Sequence, residues 1–225
     1  MRLRSSFHIS RADPYSISKK EINALPLKHY TGSIHMVDSD EKMKAAARSL
    51  GREKVLGFDT ETRPAFKKGE SYPLSLLQLA AGDGVYIFQI GRINSHKPLA
   101  GILADRNVMK AGIGVSDDIK KLNDILPFEP SGFIGLAGMA AKAGIKNAGI
   151  RGLAALLFGF RISKQARCSR WDAPTLAHAQ IVYAATDAWI CREIYFALLG
   201  ILSGKKNINW TCPNSQKTIR NLKEE

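Results

Sequence analysis

The sequence predicts an α/β fold, a mixed β-sheet with helices packed on it, and three observations carry that reading. Strand-like runs crowd the first half of the chain, at "SIHMVDS", "KVLGFDTET", "PLSLLQLAA" and "GVYIFQI". A glycine-rich strand end, "NVMKAGIGV", runs directly into a helix start, "SDDIKKL". From residue 134 onward the apolar residues recur at helical spacing.

Taken in order, residues 1–30 are polar, basic and broken by Pro14 and Pro26, which reads as an N-terminal arm or lead-in. Residues 33–39 alternate apolar and polar with the period of a strand. Ser39 then caps a helix that has acids in its first turn and Gly51 at its end. "KVLGFDTET" has the continuous apolar run of a buried strand. The two runs either side of "GDG" read as an antiparallel hairpin. "HKPLAGILAD" is a short helix, "NVMKAGIGV" a strand, and "SDDIKKLNDIL" a helix capped by Ser116. Helices follow over 134–144, over 150–158 and from about Pro174 to Leu202. The chain therefore divides into a basic arm over 1–30, one folded domain over 31–202 and a polar, basic tail over 203–225, with no internal repeat.

The 225 residues suffice for a full core, and 45% hydrophobic with 24% charged residues is ordinary for a globular protein. The charge balance is not ordinary. Thirty-three Lys and Arg against twenty Asp and Glu give a net charge of +13 and a pI near 9.8. Such an excess favours a polyanionic partner, nucleic acid or an anionic surface. No apolar run approaches the roughly 18–20 residues of a membrane span, and nothing near the start has a secretory apolar core, so no membrane is expected. The opening stretch is Arg- and Ser-rich in the manner of an organellar targeting segment, but Asp13 and Pro14 interrupt it, which favours a basic arm. The three cysteines, Cys168, Cys191 and Cys212, are scattered without a Cys-x-x-Cys, which fits a reducing, cytoplasmic setting better than disulfides or a zinc knuckle.

Chemistry enters with the acids. Asp59 and Glu61 close the apolar run of "VLGFDTET", two residues apart, so on a strand they share one face with Thr60 on the other. Like charges side by side need solvent, a basic side chain or a bound cation to compensate them. Alone, the pair also describes a solvated strand end. Asp117 and Asp118 lie in the first turn of a helix, where acids complement the positive helix end. Tyr183 and Asp187, four apart, share a helix face, and a buried Tyr–Asp hydrogen bond is their structural alternative. As a set, however, they supply acids from separate elements together with a phenol. Hard divalent cations take oxygen ligands, and two of them about 3.5–4 Å apart activate a water and stabilise the leaving oxygen in phosphodiester cleavage.

In "FDTET", "KAGIGVSDDIKKL" and "RCSRW…QIVYAATDAW", in that order, the chain resembles the 3′–5′ exonuclease domains of the DEDD superfamily, in the tyrosine subclass with ribonuclease D and the Werner-syndrome-type exonuclease domain. "YPLSLLQLA" and "GLAALLFGFRISK" are also similar to family segments, and the likeness spans roughly residues 33–200. The resemblance implies a ribonuclease-H-like mixed β-sheet with helices packed on both faces. It implies a two-metal-ion enzyme, with Mg²⁺ or Mn²⁺, that releases nucleoside 5′-monophosphates from the 3′ end of DNA or RNA. By position it implies Asp59, Glu61, Asp118 and Asp187 as metal ligands, Glu61 also as a catalytic group, and Tyr183 as the phenol that orients the attacking water. Asp118 rather than Asp117 matches, because it stands four residues after Gly114 and four before Leu122.

For the substrate, "FRISKQARCSRW" brings Arg161, Lys164, Arg167, Arg170 and Trp171 close to the third motif, and Lys67 and Lys68 follow the first. Cations along a backbone and aromatics under bases are what a single strand needs, so Arg167, Arg170 and Trp171 are expected substrate contacts. Gln78 joins them on family grounds. Each also has a plain structural reading, as a solvated charge, a core tryptophan or a sheet residue. A fold that only holds nucleic-acid 3′ ends without cutting them is the alternative function, and its sign would be lost ligands, of which there are none.

Overall fold

The computed structural model describes residues 15–204. Six strands form one sheet: β1 (Ile34–Val37), β2 (Val55–Thr62), β3 (Leu74–Ala80), β4 (Val85–Gln89), β5 (Met109–Gly112) and β6 (Phe133–Gly135), in the spatial order β1-β4-β3-β2-β5-β6. The hairpin partners β3 and β4, and β2 with β3, pair antiparallel, whereas β1–β4, β2–β5 and β5–β6 are parallel. The sheet is mixed, as the sequence predicts.

Helices cover both faces. On one lie α2 (Asp40–Leu50), α3 (Lys97–Ala104) and α4 (Val115–Asn123), which bury Met43, Leu50, Leu99, Leu103 and Leu122 against Leu56, Phe58, Leu77 and Leu79 of the sheet. On the other lie α5 (Leu136–Lys142), α6 (Ile150–Phe158) and the 25-residue α7 (His178–Leu202), packed over Leu76, Ala80, Ile87 and Ala111. Alternate residues of each strand feed the two cores, the strand period of two made visible. Among the described residues no helix is long and apolar enough to cross a membrane.

The structure departs from the sequence reading in four places. The helix expected over 134–144 is preceded by a strand, for Phe133–Gly135 pairs with Lys110–Gly112 before α5 begins at Leu136. Three residues carry too little periodicity to separate a strand from an adjoining helix. α4 is not capped by Ser116. Gly114, at φ 70°, holds the N-cap position in a left-handed conformation that glycine adopts freely, and Ser116 already lies inside the first turn. α7 begins at His178, after an extended approach from Pro174. The last departure concerns the lead-in, for residues 15–30 are not a loose arm. They form α1 (Lys19–Ala24), closed by a capping box between Ser18 and Glu21, and bury Ile22 and Tyr30. Tyr15 and Leu27 bridge to Ile145 and Arg161, and the Tyr30 backbone N–H donates to Thr186 Oγ1 on α7 at 3.0 Å. The Ser-x-x-Glu signal was in the sequence, overshadowed by the basic composition around it. Residues 1–14 of the expected arm, and 205–225 of the expected tail, lie outside the described residues.

Candidate active site

Gly57 sets the geometry. It lies on the same face of β2 as Asp59 and Glu61, the face that α7 crosses. A Cβ there would collide with the Ala188 carbonyl oxygen and come within 2.8 Å of the Arg192 nitrogen, so only glycine lets the α7 backbone lie this low on the strand. Asp187, the residue before Ala188, is thereby lowered onto the two strand acids. One carboxylate oxygen each from Asp59, Glu61 and Asp187 lies within 4.8 Å of the others.

Three carboxylates this close are costly. Glu61 and Asp187 are buried, Asp59 is half-buried with its carboxyl set deep among them, and none of the three forms an ion pair among the described residues. Burial, and then the charges of Asp187, Glu61 and Asp118, hold Asp59 well above the usual carboxylate range. Burial and the neighbouring Asp187 and Asp118 push Glu61 up to about 8, with the Arg167 charge pulling back. Burial raises Asp187 to about 7, partly offset by the hydrogen-bonding pull of the Tyr183 hydroxyl. The same burial and the Asp187 charge raise the Tyr183 phenol, which stays protonated at any ordinary pH. The arrangement favours a cation that can replace the protons.

Asp118 approaches from the opposite side of β2. Thr60, which points away from Asp59 and Glu61, donates its hydroxyl to Asp118 Oδ1 at 2.6 Å. This carboxyl is half-buried and raised by its burial, while Asp117 next to it is exposed. Asp118 stands outside the triplet of oxygens.

The expected substrate contacts divide. Arg167 is exposed and close enough to act on Glu61, and Arg170 is exposed. Trp171, 1% exposed, is a core residue in this structure: its ring sits 5.9 Å from that of Tyr183 and buttresses the phenol instead of presenting a stacking face. Gln78, 0% exposed, faces Asp59 directly across the β2–β3 pair, and both polar atoms of its amide lack a partner. A side chain without surface cannot contact a strand in this conformation, so both reach the cleft only through their neighbours. Among the cations, Arg161 is tied to the Leu25 carbonyl, whereas Lys164 is exposed.

Sequence reasoning passed over several residues that shape the site. Gly57 stands two before Asp59, a glycine inside an apolar strand, which is a known sign of close backbone approach. Thr60 was noted only as pointing the other way. A cleft of about 290 Å³ beside Tyr183 and Asp187 is walled by Leu27–His29 of the lead-in, by Ser163, Gln165 and Ala166, and by the first turns of α7. No local signal announces that wall, because it is made by chain segments about 150 residues apart.

Comparison with known proteins gives a consistent picture. Residues 34–203 match a family of 3′–5′ exonuclease domains. The human "Exonuclease 3′–5′ domain-containing protein 2" is 33% identical over 158 residues, 65% of this chain and 25% of that protein. Ribonuclease D of Gluconacetobacter diazotrophicus is 29% identical over 179 residues, covering 78% of this chain and 44% of that protein. Among solved structures, the EXO domain of Aedes aegypti Nibbler superposes with a TM-score of 0.72 at 25% identity, over 80% of this chain and 94% of that one. The ribonuclease-H-like α/β fold implied by the sequence is the one observed. The chain spans a quarter to less than half of the full-length relatives.

Proposed function

The chain belongs to the 3′–5′ exonuclease family, and from that premise we propose that it hydrolyses nucleotides one at a time from the 3′ end of a DNA or RNA strand, releasing nucleoside 5′-monophosphates. One observation carries the reading: carboxylate oxygens from β2 and α7 converge within 4.8 Å, without an ion pair among the described residues and with a largely buried phenol beside them. The donor set, all oxygen and all acidic, suits Mg²⁺ or Mn²⁺. Asp59, Glu61 and Asp187 would hold one ion, and Asp118, released from Thr60, would complete the set for a second. When bound, such ions lower the pKa of a water and stabilise charge on the leaving oxygen.

The chain's own groups supply the rest. Tyr183, kept neutral by its surroundings, can donate one hydrogen bond and accept one, which suits it to aiming a water and not to removing its proton. Trp171 and Asp187 fix the phenol from two sides. The cleft beside it, with apolar walls from Leu27, Ala166, Ala179 and Val182 and with Lys28 and His29 at the lead-in, has room for the base and sugar of a terminal nucleotide. The free thiols of Cys168 and Cys191 support a reducing, cytoplasmic setting.

The test uses oligomers labelled at the 5′ end, single-stranded and recessed, DNA and RNA, with Mg²⁺ or Mn²⁺. A ladder shortening stepwise from the 3′ end is expected. Retention of 3′ ends with no shortening in either metal would leave the end-binding alternative instead.

A further inference from the structure

A second feature of the cleft is not absorbed by the carboxylates. Arg63 follows Glu61 by two residues, just beyond the register shift at Glu61/Thr62 and the last pair of β2, Thr62 with Leu74. Asp172 follows Trp171, the residue packed on Tyr183. The two therefore come from segments that adjoin Glu61 and the support of Tyr183, and they meet. Arg63 Nη1 donates to Asp172 Oδ2 at 3.1 Å, while Arg170 Nε lies 3.4 Å from Asp172 Oδ1. A single carboxylate thus bridges two guanidinium groups, one oxygen to each.

The surroundings orient this group without neutralising it. The Arg63 guanidinium lies over the Tyr72 ring at 4.3 Å, and the Tyr72 hydroxyl donates to Glu70 at 3.3 Å. Among the described residues the other N–H groups of Arg63 and Arg170 have no hydrogen-bond acceptor in the protein. The side chains of Arg63 and Asp172 are 36% exposed and that of Arg170 is 70% exposed, so the pairs contribute little to stability. The loop carrying Arg63 also presents Phe66, 79% exposed, with Lys67 and Lys68 beside it. Two arginines around one carboxylate keep a net positive charge. Their planar forks match a phosphodiester, whose two non-bridging oxygens are spaced much as a carboxylate's are.

We infer that Arg63 and Arg170 form a phosphate clamp at the mouth of the cleft, and that Asp172 occupies it in the free protein as a built-in competitor of the nucleic-acid backbone. A strand entering the cleft displaces Asp172 and takes over its two guanidinium partners. Occupancy by Asp172 discriminates against single phosphates and weakly held anions, because only a ligand anchored elsewhere in the cleft outcompetes a tethered carboxylate. This rests on the nucleic-acid reading above.

The test is binding of a 5′-fluorescein-labelled oligothymidylate of about twelve nucleotides, followed by anisotropy with Ca²⁺ and with the probe confirmed intact. Asp172→Asn should bind about two- to fivefold tighter than wild type, the scale of one exposed ion pair. It should also show a steeper salt dependence and an unchanged thermal midpoint. Arg63→Gln should bind more weakly, with a slope lower by about 0.7 log units for the lost phosphate contact. The double variant should lose the gain of Asp172→Asn. If Asp172→Asn binds no tighter than wild type, or weakens binding together with the thermal midpoint, the carboxylate is only a staple across the cleft and the clamp is overturned. If neither wild type nor Asp172→Asn binds, the nucleic-acid reading itself fails along with it.

Discussion

Two buried charged groups in this sheet are treated in opposite ways. Lys110, in the middle of β5, is 0% exposed, and the fold provides for it: Nζ donates to the carbonyls of Ile102 at 3.2 Å and Asp105 at 2.8 Å, and lies 5.0 Å from the centre of the Phe133 ring. Those carbonyls close the C-terminal end of α3, so the ammonium caps a helix dipole from inside the core. Across the sheet, Asp59, Glu61 and Asp187 are gathered without an ion pair among the described residues, with only the exposed Arg167 near enough to act on Glu61. A fold pairs the buried charges it uses to hold itself together. Charges that it concentrates and leaves unpaired are held for something that comes from outside.

Removing one member of the acid cluster should therefore cost function and spare the fold. Asp59→Asn is expected to lower single-turnover hydrolysis at least about 1000-fold, near 4 kcal/mol of barrier, with the metal-free thermal midpoint at pH 8 unchanged or higher because a repulsion is gone. A clear fall in that midpoint would mean that the cluster supports the fold, and the contrast with Lys110 would break. Gly57→Ala should do both kinds of damage. Its methyl group meets the α7 backbone at Ala188 and Arg192, which cannot yield as a flexible side chain does. A loss of about 3 kcal/mol in denaturant unfolding is expected, together with impaired hydrolysis as Asp187 lifts away from β2.

Lys110→Met should show the reverse of the acid variant. It removes the ammonium from two buried helix-end carbonyls, which keep only the long backbone bonds from Asp105 N–H at 3.3 Å and Val108 N–H at 3.4 Å, so a loss of about 1–3 kcal/mol in chemical unfolding is expected, with turnover per folded molecule near that of wild type. The pH dependence sharpens the contrast further, since the two groups shift in opposite senses. Raised carboxylates stabilise the folded state while protonated, and that contribution is lost as pH climbs from the ordinary carboxylate range through about 7–8, where Asp187 and Glu61 titrate. Burial lowers Lys110 to about 8, so its folded form binds fewer protons than the unfolded chain above that pH, and stability recovers as pH rises from there toward the ordinary lysine range. The metal-free thermal midpoint should fall between about pH 5 and 8 and then level or turn upward. Millimolar Mg²⁺ should flatten the first limb and leave the second, while Lys110→Met should remove the second alone. A profile insensitive to Mg²⁺ would argue against a cation in the cluster.

Sequence reading reached these two groups unequally, for physical reasons. Spacing alone put Asp59 with Glu61 on one strand face and Tyr183 with Asp187 on one helix face, because a strand repeats every two residues and a helix about every four, while their meeting in one site was legible only through the family resemblance. The mixed sheet and its β3–β4 hairpin followed from recognisable strands and a turn, whereas the strand order, with β6 at one edge, was not legible. Lys110 was not singled out, because its partners are backbone carbonyls that no residue identity announces. The wall that Leu27–His29 adds to the cleft was missed for a similar reason, since it depends on Arg161 and Thr186 receiving the lead-in from far along the chain. Trp171, suggested as a substrate contact by residue type and neighbourhood, and Gln78, suggested on family grounds, are both buried, because exposure is decided by tertiary packing that neither signal carries. Composition hid α1 altogether, although Ser18 and Glu21 spelled out its cap.

The smallest expected effect is also the strictest check on how the helix start at α4 is assigned. Asp117 and Asp118 are neighbours in its first turn, and neighbours on a helix point about 100° apart. Asp117 is exposed and free of β2, whereas Asp118 turns toward the strand and accepts a hydrogen bond from Thr60. If both acids acted only through the positive helix end, removing either charge would cost the same few tenths of a kcal/mol. If Asp118 serves the cleft, the two must separate. Asp117→Asn should leave hydrolysis within about twofold of wild type and stability within about 0.5 kcal/mol, the range of an ordinary surface change. Asp118→Asn should abolish most turnover in Mg²⁺ while the metal-free protein unfolds at an unchanged or higher temperature. Measured side by side, single-turnover rates and melting curves separate the outcomes. Equal small losses would remove Asp118 from the chemistry and leave the Asp59, Glu61 and Asp187 triplet to act alone. A dead Asp117→Asn would shift the functional face of α4 by one residue and detach Thr60 from any role in holding the acid.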